Sequence, residues 1–299
     1  MSNNIINNSQ ALASVASVFV AKDLRLANQI NRDFAADFER ALGSTVNVRI
    51  PASLAADSRA VGDISAYNTR DIAEATQPVA LTAELFSRTA VSDADMALSV
   101  EDYARQVLLP QAIGLASKVE SNIVTSLQAV VEDTTLDAAY DPSDKSQVLD
   151  FLVDARAALR AKGSPETGLS AVLSVEAYAA LLKATGAASY DVFGTNGAAT
   201  GRVVNVAGLN VIESNRLAAK EAIIMHQDAV TLALRAPVAA HGVESSSVMA
   251  EGGVPLRQVL AFDHTTGQHV SLLSTFAGVA TLTASVEGTN QLWIVRVAA

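Results

Sequence analysis

Gly43-Ser-Thr-Val-Asn-Val-Arg-Ile-Pro51 is the stretch that decides the fold. From Thr45 to Ile50 apolar and polar residues alternate, which predicts a half-buried β-strand. Pro51 ends this strand or marks an edge, because proline cannot donate a ladder hydrogen bond. Residues 52–77 are small, polar or charged, and Pro78-Val-Ala-Leu-Thr82 returns as a second short strand. An isolated two-stranded ribbon is only marginally stable in water, so we expect this one to lie on another surface.

A long helix is predicted next, from Ser92 to Val131. Ser99-Val-Glu-Asp102 is a capping-box pattern, and a run of about 30 residues spans about 45 Å. Pro110 lies inside the run and predicts a kink or a fresh helix start, since proline removes a backbone donor and clashes with the preceding turn. The predicted buried stripe comprises Val100, Tyr103, Val107, Ile113, Ala116, Val119, Ile123, Leu127 and Val130.

The remaining pattern combines helices and strands. Helices are predicted at Ala11–Ala41, at Ser143–Lys162 after a turn-rich link at Thr134–Ser143, and at Val175–Ala184 with Ser174 as its cap. The buried face of the second of these is predicted to be Val148, Leu149, Leu152, Val153 and Leu159. Strands are predicted at Leu169–Leu173, Val203–Val206, Leu209–Glu213, Ala222–His226, Val230–Leu234, Leu256–Asp263, Val270–Ser274 and Leu292–Val297. This order favours an α+β fold with a helix-rich middle and a strand-rich end.

Composition narrows the function classes. The chain has 299 residues, a net charge of −10 and no cysteine. An acidic chain is a poor candidate for tight nucleic-acid binding, and the lack of cysteine excludes disulfides and thiolate metal sites. The asparagine-rich N-terminus lacks the basic start of a signal peptide, so we expect a soluble protein made in a cytoplasm.

Candidate chemical motifs are weak. The glycine-rich loop from Gly194 to Gly201 lacks the lysine of a phosphate-binding loop and leads into a strand. His264 and His269 flank a predicted hairpin turn, but no third metal ligand is evident. Gly168-Leu-Ser-Ala-Val172 lacks the second glycine of a nucleophile elbow. We therefore predict no catalytic, cofactor or metal site.

Four stretches in order carry a resemblance to a known family. They are Gly43–Pro51, Tyr103–Glu120, Ala171–Leu182 and Val206–Asn215. Together they resemble the entry strand of the extended loop, the spine helix, and two parts of the axial domain in the major capsid proteins of tailed bacteriophages. The resemblance implies the Hong Kong 97-type capsid fold, and within that family it is closest to the coat proteins of short-tailed phages.

The resemblance also implies a division of the chain. Residues 1–42 would form the N-terminal arm, and residues 43–90 the extended loop. Residues 91–132 would form the spine helix and peripheral domain, continued in about 220–275. Residues 133–219 would form the axial domain, continued in about 276–299. Expected inter-subunit residues of the extended loop are Arg49, Pro51, Arg59, Asp63, Arg70, Asp71 and Arg88.

The implied function is a major capsid protein that assembles into the hexamers and pentamers of an icosahedral head around double-stranded DNA. Implied partners are copies of itself, a scaffolding protein, a portal, a possible decoration protein, and packaged DNA touched non-specifically, with no membrane. Two alternatives stay open: the shell of a bacterial nanocompartment, and a hydrolase with scattered carboxylates. Some shells of this fold link subunits through a lysine of the extended loop, but here no lysine lies between Lys22 and Lys118.

Overall fold

The structure is a computed structural model of the whole chain. It describes residues 9–32, 45–50, 56–64, 66–67, 69, 75–92, 100–187, 203, 205–243, 245–250, 253–286 and 289–298. The α-helices in this part of the chain are α1 (Ser9–Asp23), α2 (Val100–Tyr103), α3 (Leu109–Gln128), α4 (Thr134–Ala139), α5 (Val148–Ala161) and α6 (Val175–Ala187). None of the described helices is long and apolar enough to cross a membrane.

The strands fall into four sheets within the described residues. The first seven are β1 (Thr45–Ile50), β2 (Ala75–Ala80), β3 (Ala83–Val91), β4 (Leu169–Leu173), β5 (Asn205–Val206), β6 (Leu209–Glu213) and β7 (Ala222–His226). The other seven are β8 (Val230–Arg235), β9 (Ser245–Met249), β10 (Leu256–Asp263), β11 (Gln268–Thr281), β12 (Thr283–Val286), β13 (Thr289–Leu292) and β14 (Ile294–Val297). β1 pairs with β2, and β12 pairs with β13.

One compact unit contains the spine helix and an antiparallel sheet. It comprises Met1–Val46, Val79–Ser126 and Thr231–Ala280. The sheet has the order β3-β11-β10-β9, with β8 also pairing β11. Gln111 of α3 joins helix to sheet, because its buried Nε2 donates to Ser271 O at 3.0 Å and its Oε1 accepts from Ser271 Oγ at 2.9 Å. This paired amide contact fixes where α3 lies on the sheet.

The second compact unit has a mixed sheet covered by two helices. It comprises Asn47–Pro78, Leu127–Val230 and Thr281–Ala299. Its sheet has the order β14-β7-β4-β6-β5, in which β4 and β6 run parallel. Both helices, α5 and α6, contribute to its core, which includes Phe151, Leu152, Leu159, Leu173, Leu181, Ile224 and Val295. The buried Tyr178 hydroxyl accepts from Val203 N at 2.8 Å, which holds the start of the β5 segment against α6.

Residues 100–128 are helical without a break, so no fresh helix starts at Pro110, and the kink predicted as the other outcome stays a prediction. A π-helical segment, Ala104–Leu108, separates α2 from α3, and Pro110 is the second residue of α3. Leu109 N donates to Ala104 O, five residues back, so Pro110 follows directly after a π turn in a continuous helix. Most of the predicted stripe is buried, but Ile113 is 46% exposed and its predicted burial was wrong. Ala112 and Leu115 occupy the buried face instead, which turns Ile113 toward solvent.

Other helix predictions need correction. The helix predicted at Ala11–Ala41 ends at Asp23, and a 3₁₀ helix follows at Leu26–Gln29, while residues 33–44 lie outside the described part. The link predicted at Thr134–Ser143 contains α4, because the Asp133 carboxylate caps it by accepting from Thr135 N and Leu136 N. Val153 of α5 is 53% exposed, since Phe151 and Leu152 fill the core side.

Four strands were missed in the sequence, namely β3, β9, β12 and β13. The sequence of β3 does not show a regular alternation of buried apolar and exposed polar residues. Its one aromatic residue, Phe86, lies on the exposed face and is 65% exposed. Strand β9 reads Ser-Ser-Ser-Val-Met, which lacks the apolar content of a typical strand. β2 also begins earlier than predicted, at Ala75, and ends at Ala80. α6 continues past the predicted stop to Ala187.

Candidate inter-subunit surfaces

The ribbon of β1 and β2 carries the first candidate surface. Val48 and Val79 are buried, whereas Thr45 and Asn47 are exposed, so the predicted half-buried strand is confirmed where side chains are described. Gln77 attaches β2 to the backbone near the start of β12. Its Nε2 donates to Thr281 O at 2.5 Å, and its Oε1 accepts from Thr283 N at 3.4 Å.

The end of the ribbon meets β11 at a close backbone approach. Thr82 N donates to Ala277 O at 3.2 Å. A Cβ built at Gly278 would lie 2.1 Å from Ala80 O and 2.9 Å from its carbonyl carbon. Both atoms are backbone and cannot move aside by a rotamer change, so only glycine is tolerated where β11 passes this segment.

Residues 56–64, 66–67 and 69, here called the tip, lie between the ribbon strands in the sequence, and none of them belongs to a helix or strand. Asp63 N donates to Ala60 O at 3.1 Å, and Gly62 provides the positive φ of 91° that this turn requires. The Arg59 guanidinium lies 3.9 Å from the centroid of the Tyr67 ring, and its Nη2 donates to Tyr67 Oη at 2.9 Å. The tip therefore has a locally defined shape.

Large apolar side chains of the tip are exposed in the isolated chain. The exposed fraction is 107% for Val61, 98% for Ile64 and 78% for Tyr67. Scattered exposed hydrophobics are ordinary, but three on one short segment indicate a contact surface. These three residues were not among the expected inter-subunit residues, which are mostly arginine and aspartate. The available signal was their apolar character within an otherwise polar stretch.

The predicted loop residues are placed as follows. Arg59 and Asp63 lie in the tip. Arg88 lies on β3, where its Nη2 is 2.7 Å from Asp263 Oδ2. Hydrogen bonds from Thr265 N and from Arg88 hold the pKa of Asp263 below its usual range. Pro51, Arg70, Asp71 and the side chain of Arg49 lie outside the described residues.

A second candidate surface lies beside β9, at the edge of its sheet. A groove of about 310 Å³ is lined by Arg235, Ala236, Pro237, Val238, Val248, Met249, Ala250 and Pro255. Val238 is 76% exposed and Val248 is 40% exposed. An edge strand offers unpaired backbone groups in addition to side chains, so this groove is suited to contact with another chain.

Three histidines, His226, His264 and His269, form contacts with aromatic rings. His264 and His269 flank the turn between β10 and β11, as predicted, and each ring centroid lies 5.2 Å from that of Phe262. His226 Nδ1 accepts from Asp228 N at 3.2 Å, and burial lowers the pKa of His226. No group of three or more potential metal-binding side chains occurs in the described part of the chain. The glycine-rich loop lies outside it.

A buried carboxylate in the second unit is occupied by structural contacts. Glu221 is 1% exposed, and its Oε1 accepts from Arg296 Nε at 2.9 Å. Its Oε2 accepts from Gln128 Nε2 at 2.7 Å and from Ala218 N at 3.0 Å. Arg296 also lies 3.1 Å from Glu132 and donates to Val130 O. These contacts fasten β14 to the end of α3.

Comparison with known proteins shows the fold. No protein-family model and no curated protein matches the sequence. A chain of Mycobacterium phage Che8 superposes with a TM-score of 0.60 at 18% identity, covering 91% of this chain and 90% of that one. A chain of the Ralstonia phage GP4 capsid gives 0.56 at 10% identity, covering 91% and 88%. A chain of the cyanophage P-SCSP1u capsid gives 0.54 at 15% identity, covering 86% and 84%.

The chain has the fold of a phage capsid subunit. The predicted α+β class and Hong Kong 97-type capsid fold are therefore confirmed. These structural matches show the capsid fold, but at identities of 10–18% they do not show which group of phage coat proteins the chain resembles most. The resemblance to the short-tailed-phage coat proteins therefore stays a prediction. The division into arm, loop, peripheral and axial domains stays a prediction too.

Proposed function

We propose that this chain is the major capsid protein of a tailed phage. It forms hexamers and pentamers that close an icosahedral head around double-stranded DNA, and it resides in the virion after assembly in the host cytoplasm. The observation that carries this proposal is the likeness to phage capsid chains over about nine-tenths of both chains, rather than over one shared domain. Its role is structural rather than catalytic.

The exposed tip supports assembly through neighbouring subunits. Val61 and Ile64 are almost completely accessible in the isolated chain, and covering them removes apolar area from water. A two-stranded ribbon is only marginally stable by itself, and it becomes stable when a neighbouring subunit packs on it. We assign this contact to the extended loop and retain Arg49, Pro51, Arg59, Asp63, Arg70, Asp71 and Arg88 as its expected inter-subunit residues.

The two compact units suggest how the predicted domains are distributed. We assign the unit with the sheet β3-β11-β10-β9 to the peripheral domain, with α3 as the spine helix. The unit with the sheet β14-β7-β4-β6-β5 is assigned to the axial domain, and the ribbon to the extended loop. The N-terminal arm would include α1.

Other partners follow from the same role. A scaffolding protein, a portal and a possible decoration protein would act with this chain during and after head assembly. Contact with packaged DNA would be non-specific and weak, because a net charge of −10 supplies few phosphate-neutralising groups.

Sedimentation and electron microscopy of the expressed protein test this proposal. Wild-type protein, produced with its neighbouring head genes, should form closed megadalton particles. The double variant Val61→Asp with Ile64→Asp should stay as free subunits of unchanged melting temperature, because it introduces charge into the proposed contact. Val131→Asp is the matched control, since Val131 is also exposed (87%) but lies outside the tip, and it should assemble normally.

The outcomes separate the alternatives. A wild-type protein that remains a small oligomer under all these conditions would overturn the shell function. Closed shells that form without phage partners and enclose an enzyme would assign the chain to a nanocompartment. Normal assembly of the tip variant would remove the tip from the contact.

A further inference from the structure

His226 is a buried histidine whose ring binds backbone groups through both nitrogens. It lies at the end of β7 and is 2% exposed. Its Nδ1 accepts from Asp228 N at 3.2 Å, which caps the 3₁₀ turn Gln227–Ala229. The backbone of Thr167 also hydrogen-bonds the ring and favours its charged form, so Thr167 is an acceptor. Nε2 therefore already carries a hydrogen, and Nδ1 is the atom that would take up a proton.

The same ring contacts the only tryptophan in the sequence. The ring centroids of His226 and Trp293 are 5.2 Å apart at an interplanar angle of 82°, which is an edge-to-face contact. His226 N donates to Trp293 O at 3.1 Å, and Trp293 Nε1 donates to Lys162 O at 3.1 Å. Because Trp293 directly precedes β14, these contacts fix where β14 begins beside β7.

The surroundings of the ring favour its neutral form. The charged residues on the elements around it are Asp228, Lys162, Glu166 and Arg160. Asp228 Oδ2 lies 3.6 Å from Nδ1, but the Asp228 side chain is 50% exposed, so water screens its attraction. Glu166 is paired with Arg160 at 3.1 Å, and Lys162 has the same charge as a protonated ring. Burial therefore outweighs the attraction of Asp228 and lowers the pKa of His226 from 6.5.

We propose that His226 is an acid-sensitive latch on Trp293. At neutral pH the uncharged ring caps the turn and packs on the indole. A proton on Nδ1 removes the acceptor of Asp228 N and brings two N–H groups against each other, so the ring leaves the turn and Trp293 for water. Leu282 N donates to Ala229 O at 2.8 Å, so the residue before β12 loosens with the turn. This inference stands independently of the capsid function.

Burial also determines the direction of the pH dependence. In the closed arrangement the pKa of His226 lies below 6.5, whereas a ring released into water has its ordinary value. The closed arrangement therefore binds fewer protons than the open one, and acid favours opening. The opening constant should rise by up to about tenfold for each pH unit between 6.5 and the pKa of the closed ring, because one proton is taken up.

Solvent exchange of the Trp293 indole hydrogen tests the latch. The single tryptophan gives one indole N–H signal in the NMR spectrum of the unassembled protein, and this hydrogen is bonded to Lys162 O. Its protection factor, corrected for the intrinsic exchange rate at each pH, should be constant above about pH 7. Below pH 6.5 it should fall by up to about tenfold per pH unit.

Two histidine substitutions isolate the group responsible. His226→Asn keeps an acceptor at the δ position that cannot be protonated, so the indole protection factor should no longer depend on pH. His264→Asn is the matched control, since His264 also contacts an aromatic ring, that of Phe262, and should leave the pH dependence as in the wild type. Asp228→Asn keeps the histidine and its backbone donor but removes the carboxylate, so the loss of protection should extend to lower pH.

Several results would overturn the latch. They are a protection factor that is independent of pH in the wild type, and a wild-type pH dependence in His226→Asn. A change in far-UV circular dichroism over the same pH range would show unfolding rather than release of Trp293 and would also overturn it. If His226→Asn does not fold, Asp228→Asn decides, because an unchanged pH range in that variant would contradict the role of the His226 ring.

Discussion

The carboxylate of Glu120 caps the backbone at Leu26. Glu120 Oε1 lies 2.9 Å from Leu26 N, although the two residues are 94 positions apart in the sequence. Leu26 begins a 3₁₀ helix whose preceding residue, Arg25, provides no side-chain cap. The spine helix therefore supplies the cap that the local sequence lacks, and the fold of the N-terminal segment depends on α3.

Substitution of Glu120 should destabilise the subunit. Glu120→Ala leaves three backbone N–H groups without their acceptor, of which two belong to buried residues. The free energy of unfolding should fall by about 3 kcal/mol, since each unsatisfied buried donor is costly. Lys118→Ala, at an exposed position of the same helix, is the control and should change it by less than about 0.5 kcal/mol. Denaturant unfolding of unassembled subunits measures both, and equal effects would contradict the capping role.

Two glycine-to-alanine substitutions should have opposite effects. Gly278→Ala places a Cβ 2.1 Å from Ala80 O, so the backbones must separate and the melting temperature should fall by several degrees, or soluble subunits should be lost. Gly114→Ala meets nothing within 4 Å and lies in α3, so it should stabilise by up to about 1 kcal/mol. Thermal unfolding distinguishes the two. A neutral Gly278→Ala would mean that the backbones are farther apart than described.

Truncation of two isoleucines should distinguish the buried face of the spine helix from its exposed face. Ile123 is 0% exposed, and Ile123→Ala should cost about 2–5 kcal/mol because it leaves a cavity. Ile113 is 46% exposed, and Ile113→Ala should cost less than about 1 kcal/mol. Urea unfolding of the two variants provides the comparison, and similar losses would mean that the helix is rotated from the orientation described.

Sequence reasoning succeeded where the signal is local. The alternation from Thr45 to Ile50 depends only on neighbouring residues, and the strand that it predicts is found in the structure. The Ser174 cap is of the same kind, since its hydroxyl accepts from Ala177 N at 3.3 Å. Such features follow from backbone sterics and short-range hydrogen bonding.

The misses involve distant partners. Glu120 reads as a solvent-facing residue in a helical pattern, and only the folded chain shows that it binds Leu26. Phe86 is apolar but lies on the exposed face of β3, so hydrophobicity gives the wrong phase for that strand. The tip residues Val61 and Ile64 were passed over because apolar side chains in a polar loop become informative only when their exposure is known.

Low pH should lower the stability of the second unit, because it protonates the Asp141 carboxylate. Hydrogen bonds from Lys220 and from the Ser143 hydroxyl lower the pKa of Asp141 from 3.8 to about 2. The folded state therefore favours the carboxylate, and its stabilising contribution is present above about pH 4 and is lost as the pH falls through about 2. Asp141→Asn should reduce stability at pH 6 and approach the wild type near pH 2, which unfolding at both pH values measures.

The partner of Asp141 provides the control for this titration. Lys220→Met removes the ammonium 2.8 Å from Asp141, so the pKa of the carboxyl should move up toward its usual value. Carbon-detected NMR titration of the Asp141 carboxyl reads this directly. An unchanged titration midpoint would show that Ser143 alone holds the pKa low.

Mature particles should be free of covalent links between subunits. No lysine lies between residues 22 and 118, and the chain has no cysteine. Many modest contacts per subunit would then hold the shell together by multivalency. Boiled particles on a denaturing gel should give one band at the 31.0 kDa monomer mass. A ladder of linked oligomers would show that another pair of residues forms a covalent bond.

Cryo-electron microscopy of particles from cells that express this chain with its neighbouring head genes tests the central claim most directly. The account predicts closed icosahedral shells in which this chain occupies every hexamer and pentamer position and residues 56–67 contact a neighbouring subunit. Only small, open oligomers, or shells built from a different chain, would contradict it.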